Sequence, residues 1–177
     1  MSVLAAQAKP GASRDDWQTP EVVLERVRRL GPIALDPCTT VENPVGAKVT
    51  CHPPQNGLAP LFSWAGVMRD LGETGLIYVN PPYSRGNLGP FTARCRAEAL
   101  AGAEVVALVP AATSELWFQD ACAPRRAAAV CFWRGRLKFV VPGYGDEPAP
   151  FSSAVVYWGR HRHRFAAAFD DVGAIWM

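Results

Sequence analysis

The sequence lacks the long apolar runs, paired cysteines and clustered metal ligands that mark several large classes of protein. No apolar stretch approaches the roughly 20 residues that a membrane-spanning helix needs, and no charged segment followed by a long apolar one stands at the N-terminus. The five cysteines are odd in number and include no Cys-x-x-Cys pair, so we expect reduced thiols. We therefore predict a cytoplasmic protein without membrane association or a metal site.

Net charge is also scarce, because 18 lysines and arginines face 16 acidic residues and leave a formal charge of +2. The field of the whole molecule is then weak, so any affinity for nucleic acid must come from a local basic patch. The 177 residues contain no internal repeat and are too few for two full domains. We predict a flexible N-terminal tail at residues 1–14, which are rich in Ala, Gly, Pro and Ser, and one domain at residues 15–177.

What the sequence does contain is a series of short apolar runs, each ended by proline, glycine or polar residues. These runs predict buried strands, and several stretches between them have the apolar spacing of helices. The first helix is expected to begin with Thr19 as its N-cap and Pro20 in its first turn. This alternation predicts an α/β fold. The main predicted strands are 33–35, 76–79, 105–109, 129–132, 137–141 and 154–158.

The most informative segment is the tetrapeptide that follows the predicted strand at 76–79, at the kind of strand end where α/β sheets bind ligands. It consists of Asn80, Pro81, Pro82 and Tyr83. The prolines restrict the backbone, so two acceptors are held with little freedom: the Asn80 amide oxygen and the Pro81 carbonyl. Two such acceptors suit a planar NH2 group, and Tyr83 is placed to stack on the ring that carries it. The segment predicts a rigid pocket for a flat, amino-bearing group.

This tetrapeptide resembles the motif of amino-methyltransferases that use S-adenosylmethionine, in which Asp, Asn or Ser precedes Pro-Pro and an aromatic residue. The resemblance implies that Asn80 and Pro81 orient the substrate amine. It implies that Pro82 stiffens the loop and that Tyr83 stacks on the base. Similar enzymes methylate adenine N6, cytosine N4 or the side-chain amide of glutamine, and the Asn form favours adenine or glutamine.

Two other segments resemble parts of adenine methyltransferases that hold the cofactor. The first follows the predicted strand at 33–35 and is similar to an Asp-Pro-Phe element, whose acid accepts from the amino group of the methionine moiety; it comprises Asp36, Pro37 and Cys38. The glycines that follow in that element are replaced here by residues 39–41, Thr-Thr-Val. The second resembles a Thr-Pro element that precedes the first strand; it comprises Trp17, Thr19 and Pro20.

Four segments occur in the order typical of phage-type DNA N6-adenine methyltransferases, over most of residues 17–159. They are 17–20, 35–36, 80–84 and 135–139. The resemblance implies a single-domain class I (Rossmann-like) methyltransferase fold, with a mostly parallel sheet and a reversed strand near the C-terminus. It implies direct in-line methyl transfer from S-adenosylmethionine to a flipped adenine in double-stranded DNA. The implied setting is a bacterial or phage-infected cell, and the implied state is a monomer or weak homodimer.

Basic residues cluster in the second half of the chain, where eight lysines and arginines face two acids between residues 121 and 164. In an extended segment, Arg134, Arg136 and Lys138 share one face, opposite a more apolar one. A second basic alternation includes Arg160 and Arg162. These five residues are candidates to hold DNA phosphates while a base is flipped. Sequence specificity is expected from the stretches 39–60 and 142–152.

Two other functions remain open at this point. A protein glutamine-N5 methyltransferase also presents a side-chain NH2 to two acceptors, although such enzymes usually have a glycine-rich cofactor turn and an extra N-terminal domain. A non-catalytic module that binds DNA or a partner through a methyltransferase-like fold is favoured by the missing glycines after Asp36.

Overall fold

The computed structural model describes residue 15 and residues 17–52, 56–84, 86–143 and 145–177; the tail predicted at 1–14 lies outside the described residues. The helices found there are α1 (Glu21–Leu30), α2 (Trp64–Asp70), α3 (Leu88–Leu100), α4 (Leu116–Ala121) and α5 (Arg162–Phe169). The strands are β1 (Ile33–Asp36), β2 (Val49–Thr50), β3 (Leu76–Val79), β4 (Glu104–Pro110), β5 (Ala129–Trp133), β6 (Lys138–Val141), β7 (Gly145–Pro148), β8 (Ser153–Trp158) and β9 (Gly173–Trp176).

Seven strands form one mixed sheet in the order β2-β1-β3-β4-β8-β5-β9. β2, β1, β3 and β4 are parallel neighbours. β8 pairs antiparallel with both β4 and β5, and β9 pairs antiparallel with β5. The predicted α/β fold is confirmed, but β8 and β9 are both reversed, where one reversed strand was predicted. β9 was not predicted although its residues are apolar, because the run is short and begins with glycine, which is disfavoured in strands.

Helices cover both faces of this sheet. β1, β3 and β8 are therefore buried along their whole length, as their apolar runs predicted. α1 and α5 pack on one face through side chains such as Val23 and Phe165. α2, α3 and α4 pack on the other face through Trp64, Phe91 and Phe118. Within the described residues, no helix is both long and apolar enough to cross a membrane.

The basic segment after β8 is helical rather than extended. Arg162 begins α5, whose Phe165 and Phe169 are fully buried at helical spacing. The ring of Phe165 stacks between its neighbours, with centroids 5.4 Å from Tyr157 and 4.7 Å from Phe169. Arg160 and Arg162 alternate along the sequence as residues of a strand do, but burial of these rings favours a helix.

β6 and β7 form a separate antiparallel hairpin, so the stretch 142–152 contains a strand as well as loop. Lys138 and Val140 are exposed on β6, whereas Phe139 and Val141 are buried, which agrees with the predicted alternation. The segment before α1 is attached to this hairpin by an antiparallel bridge between Gln18 and Val140. The hairpin is thereby tied to the main body of the fold.

A buried carboxylate from α3 holds the start of α2. Glu98 is 4% exposed, and its oxygens accept from the backbone N–H groups of Trp64 at 3.0 Å and Ala65 at 2.9 Å. The same carboxylate pairs with Arg94, whose Nε lies 2.7 Å from Oε1. The helix thus receives a negative charge where its N-terminal N–H groups are unpaired.

Glu98→Ala is expected to lower the free energy of unfolding by about 2 to 4 kcal/mol, because it leaves two helix N–H groups and a half-buried Arg94 without their acceptor. Urea denaturation measures the change. Glu25→Ala, at an exposed position of α1, is the matched control and is expected to change stability by less than about 0.5 kcal/mol. Equal effects of the two substitutions would contradict this role of Glu98.

Candidate functional site

The candidate site lies at one edge of the sheet, where β1, β3 and β4 end. β1 and β3 are parallel neighbours, so Asp36 at the end of β1 and Asn80 just after β3 are brought to the same edge. Cys38 links the two ends, because its thiol donates to the backbone carbonyl of Asn80 at 3.4 Å. Burial raises the pKa of the Cys38 thiol, which therefore stays protonated as a donor. The two halves of the site predicted from the sequence do lie together.

The side-chain amide of Asn80 is held at both of its ends. Its Nδ2 donates to the backbone carbonyl of Trp17 at 2.8 Å, and its Oδ1 accepts from the Tyr83 hydroxyl at 2.8 Å. A carbonyl oxygen can only accept, so the amide nitrogen must face Trp17 and the amide oxygen must face Tyr83. Oδ1 keeps a second lone pair for another donor.

The two prolines fix the backbone beside this amide. Pro81 is buried and Pro82 is half-buried. Among the described residues, no donor reaches the Pro81 carbonyl oxygen. The Asn80 amide oxygen and the Pro81 carbonyl are thus both able to accept from an incoming group.

Tyr83 has a second role that its position in the motif did not indicate. Its hydroxyl also lies 3.2 Å from the Leu108 carbonyl of β4, and it shares one hydrogen between this oxygen and Asn80. Burial raises its pKa well above the ordinary range, so the phenol remains a neutral donor. Its ring meets Phe139 and Phe151 edge-on, at centroid distances of 6.0 and 5.4 Å. Tyr83 therefore joins β3, β4 and the hairpin.

Trp17 completes an aromatic cluster with these rings. Its ring centroid lies 5.3 Å from that of Phe139 and 6.0 Å from that of Phe151. Offset and edge-on arrangements at such distances stabilise aromatic pairs beyond simple burial. The cluster of Trp17, Tyr83, Phe139 and Phe151 packs against one core face of the fold and walls the acceptor half of the site.

Asp36 forms the acidic half of the site. It is 3% exposed, and its Oδ1 accepts from the backbone N–H of Cys38 at 3.0 Å. Burial raises the pKa of Asp36 to about 7, against an ordinary value of 3.8. The Thr39 hydroxyl lies beside this carboxyl, and its hydrogen bond to Asp36 offsets part of the rise in pKa. A buried acid of this kind suits a ligand that carries a cation.

Most of the other residues predicted to bind the cofactor are buried. Pro37 is buried, and Gly57 approaches its carbonyl so closely that any Cβ at position 57 would collide with it. Thr19 and Pro20 are also buried. The prediction that Thr19 caps α1 is wrong: its Oγ1 lies 2.8 Å from the Tyr78 hydroxyl, and α1 begins at Glu21 without a side-chain cap. The buried Tyr78 hydroxyl needs this partner more than a solvent-facing helix end does.

The structure separates the predicted basic residues into two groups. Trp133, the last residue of β5, lies at the edge that carries Asn80. The exposed Arg134, Arg136 and Lys138 come directly after β5 in the chain, so this segment begins at the same edge. Arg160 and Arg162 follow β8, whose Trp158 pairs with Val105 near the start of β4. They therefore lie at the opposite edge of the sheet, and the structure does not bring them to the site.

The sequence of the chain matches a known protein family. The family described as DNA N-6-adenine-methyltransferase (Dam) matches residues 7–160, which is well over half of the chain. The chain belongs to the Dam family. Comparisons with curated proteins and with solved structures returned no significant match.

Some contacts in this Dam-family chain were not predicted from its sequence. Phe139 lies in the family-like segment 135–139 and Phe151 in the stretch 142–152, and neither was predicted to wall the site. The acceptor that holds the Asn80 amide is the main chain of Trp17, and a backbone carbonyl has no sequence signal. The separation of Trp17 and Phe151 from the motif along the chain also gives no hint that they contact Asn80 and Tyr83.

Asp36→Asn is expected to make this Dam-family chain more stable than the wild type above about pH 7, by about 2 to 4 kcal/mol. The pKa of Asp36 is higher in the folded than in the unfolded state. The stability of the wild type therefore falls as the pH rises from the ordinary carboxyl pKa of 3.8 to about 7. The neutral amide lacks this loss but still accepts from Cys38. Denaturation at several pH values tests the difference.

Asp120→Asn, at an exposed position of α4, is the control for the loss of a surface charge. Its stability curve is expected to run parallel to that of the wild type. If the Asp36→Asn curve is also parallel between about pH 5 and pH 8, Asp36 does not carry the buried, high-pKa carboxyl inferred here.

Proposed function

We propose that this chain transfers a methyl group from S-adenosylmethionine to the N6 amine of an adenine that is flipped out of double-stranded DNA. The main support is the orientation of the Asn80 amide, which holds its oxygen as an acceptor next to the Pro81 carbonyl, to which no described residue donates. We also propose a class I (Rossmann-like) methyltransferase fold, which four parallel strands with the reversed β8 beside them support.

The two acceptors match the two hydrogens of an adenine amine. With one hydrogen on Asn80 Oδ1 and the other on the Pro81 carbonyl, the nitrogen lone pair is drawn out of conjugation with the ring and is aimed away from the strand edge. Pro82 limits the motion of this loop. These residues contribute by orienting the amine. An amine held in this way needs no strong general base and no covalent intermediate for methyl transfer. We propose that the Tyr83 ring stacks on the flipped base.

The acidic half of the site fits the proposed cofactor. S-Adenosylmethionine, when bound, supplies an electrophilic sulfonium methyl group for direct in-line transfer. Asp36 is placed to accept from its ammonium group, and the Thr39 hydroxyl beside Asp36 is a second polar group at this position. The proposed walls of this pocket are Trp17, Thr19, Pro20, Pro37 and Cys38.

The basic residues at the same edge are proposed to hold DNA. Arg134, Arg136 and Lys138 are exposed beside the hairpin, so they are available to phosphates on either side of a flipped base. The hairpin stretch 142–152 and the connection 39–60 are the proposed sources of sequence specificity. Arg160 and Arg162 are left out of this surface because of their place at the opposite edge.

Asn80→Ala is expected to reduce adenine methylation by about 100-fold or more, because the amine loses one of its two orienting acceptors. Mass spectrometry of DNA digested to nucleosides, after incubation with labelled cofactor, measures the product. Glu25→Ala, on the exposed side of α1, is the control and should match the wild type. Calorimetry is expected to show that Asn80→Ala still binds the cofactor, and full activity in this variant would sink the proposal.

Incubation of the wild type with labelled cofactor and a protein substrate, together with DNA-binding and cofactor-binding measurements, separates the competing functions. A wild-type chain that methylates a glutamine-containing protein but no DNA is a glutamine methyltransferase. A chain that binds DNA without detectable cofactor affinity is a non-catalytic module, the function that the missing glycines after Asp36 favour.

Arg136→Ala and Lys138→Ala are each expected to weaken DNA binding at all sequences alike. Each lost phosphate contact should reduce the slope of log affinity against log salt by about 0.9, while the rate at saturating DNA stays the same. Arg160→Ala, at the other edge of the sheet, is the matched control. Salt-dependent binding curves that change as much for Arg160→Ala as for Arg136→Ala would refute the assignment of the DNA-binding edge.

A further inference from the structure

We infer that Trp17 is a positioning residue: its backbone carbonyl orients the Asn80 amide and makes this chain depend on Asn, rather than Asp, at position 80. The inference rests on the proposed function, in which Asn80 Oδ1 accepts from the substrate amine. It goes further because it assigns a role to the main chain of a residue that does not touch the reacting atoms.

An amide has nearly the same shape when its nitrogen and oxygen exchange places, so its surroundings must select the orientation. The Tyr83 hydroxyl can donate or accept, and it is compatible with either end of the Asn80 amide. The Trp17 carbonyl can only accept. In the reversed orientation, two oxygens would face each other across the 2.8 Å that now separates Nδ2 from the Trp17 carbonyl. Trp17 therefore decides which atom is left for the substrate.

The Trp17 carbonyl is itself held firmly. The next residue, Gln18, exchanges two backbone hydrogen bonds with Val140 of β6, at 3.0 and 3.3 Å. The Trp17 ring packs against Phe139 and Phe151, with the nearer centroid at 5.3 Å. The carbonyl cannot turn away without breaking the bridge or the ring contacts. The hairpin thus fixes Trp17, and Trp17 in turn fixes the orientation of the Asn80 amide.

An acid at position 80 would meet this carbonyl without a hydrogen to offer. Related motifs carry Asp at the corresponding place, but here an ionised carboxylate would put an oxygen against the Trp17 carbonyl. Among the described residues, the titratable groups near position 80 are Tyr83, Cys38, Asp36 and Tyr78, and Asp15 accepts from the backbone N–H of Ser84. None of these groups is a cation, so none of them would stabilise a second negative charge.

A protonated acid behaves differently, because its O–H can donate to the Trp17 carbonyl while its other oxygen accepts from the substrate. Asn80→Asp should therefore be impaired at high pH and should recover as the pH falls. We expect its rate relative to that of the wild type at the same pH to rise by about tenfold for each pH unit while the acid is mostly ionised. Taking the ratio at each pH removes the pH dependence of the cofactor and of the DNA, which both proteins share.

Asn80→Ser is the matched control. Its hydroxyl is short of the Trp17 carbonyl and does not titrate in this range, so its ratio to the wild type should be low and independent of pH. The loss in Asn80→Asp is expected in kcat more than in the KM for DNA, because orientation of the amine is affected and DNA contacts are not. The inference would be overturned if the ratio for Asn80→Asp did not change with pH, or if this variant were as active as the wild type at about pH 8.

Thermal unfolding gives a test that needs no activity. The introduced carboxyl should have a raised pKa in the folded state, so Asn80→Asp should have a lower Tm than the wild type at about pH 8, and the difference should shrink as the pH falls toward 5. In a Trp17→Ala background, where the carbonyl is no longer anchored by its ring, the effect of Asn80→Asp should be smaller. Trp17→Phe should restore it, since a smaller ring can still pack on Phe139 and Phe151.

The outcomes distinguish the two proposals. If the wild type methylates no DNA, the proposed function fails, while the unfolding curves still test the contact between positions 17 and 80. If the wild type methylates adenine but Asn80→Asp shows no pH-dependent Tm difference and no change in the Trp17→Ala background, the inference about Trp17 is wrong and the proposed function stands.

Discussion

The parallel pairing of β1, β3 and β4 is the constraint on which the rest of the structure depends. Parallel strands place their carboxyl ends at one edge, so Asp36, Asn80 and the Leu108 carbonyl meet although they are far apart along the chain. The Tyr83 hydroxyl bonds to Asn80 and lies near Leu108, and it therefore requires β3 and β4 in this register. A shift of one residue between these strands would turn the site's side chains to the other face.

The site divides recognition between an ionisable half and a neutral half. Asp36 is a carboxyl whose pKa is raised by burial, so a cationic ligand group would stabilise its ionised form. The other half contains an amide, carbonyls and the neutral phenol of Tyr83. Cys38 joins the halves as a protonated donor to Asn80. The ionisable groups and the neutral hydrogen-bonding groups thus lie at neighbouring strand ends.

Much of the fold and part of the site could be predicted from the sequence, for a physical reason. β3 and β4 are covered on both faces, so nearly every residue is apolar and the runs are obvious. β7 is made of Gly, Asp, Glu and Pro and leaves no such run, and the apolar run of β9 is short and begins with glycine. Asn80 and Asp36 could be selected as candidates because each directly follows a predicted buried strand, at the end where α/β sheets bind ligands. The Trp17 carbonyl and the Phe151 ring could not, because they contribute through tertiary contacts that no local pattern encodes.

The contact between Asn80 and Trp17 spans 63 residues, and the ring of Phe151 closes the same cluster from much further along the chain. Contacts of such long sequence separation form late in folding, after loop-closure entropy has been overcome. During synthesis, the tetrapeptide emerges well before the hairpin that anchors Trp17. A nascent chain that already carries the whole Asn80 motif therefore lacks the hairpin that anchors Trp17, and the Asn80 amide reaches its fixed orientation only after the hairpin has left the ribosome.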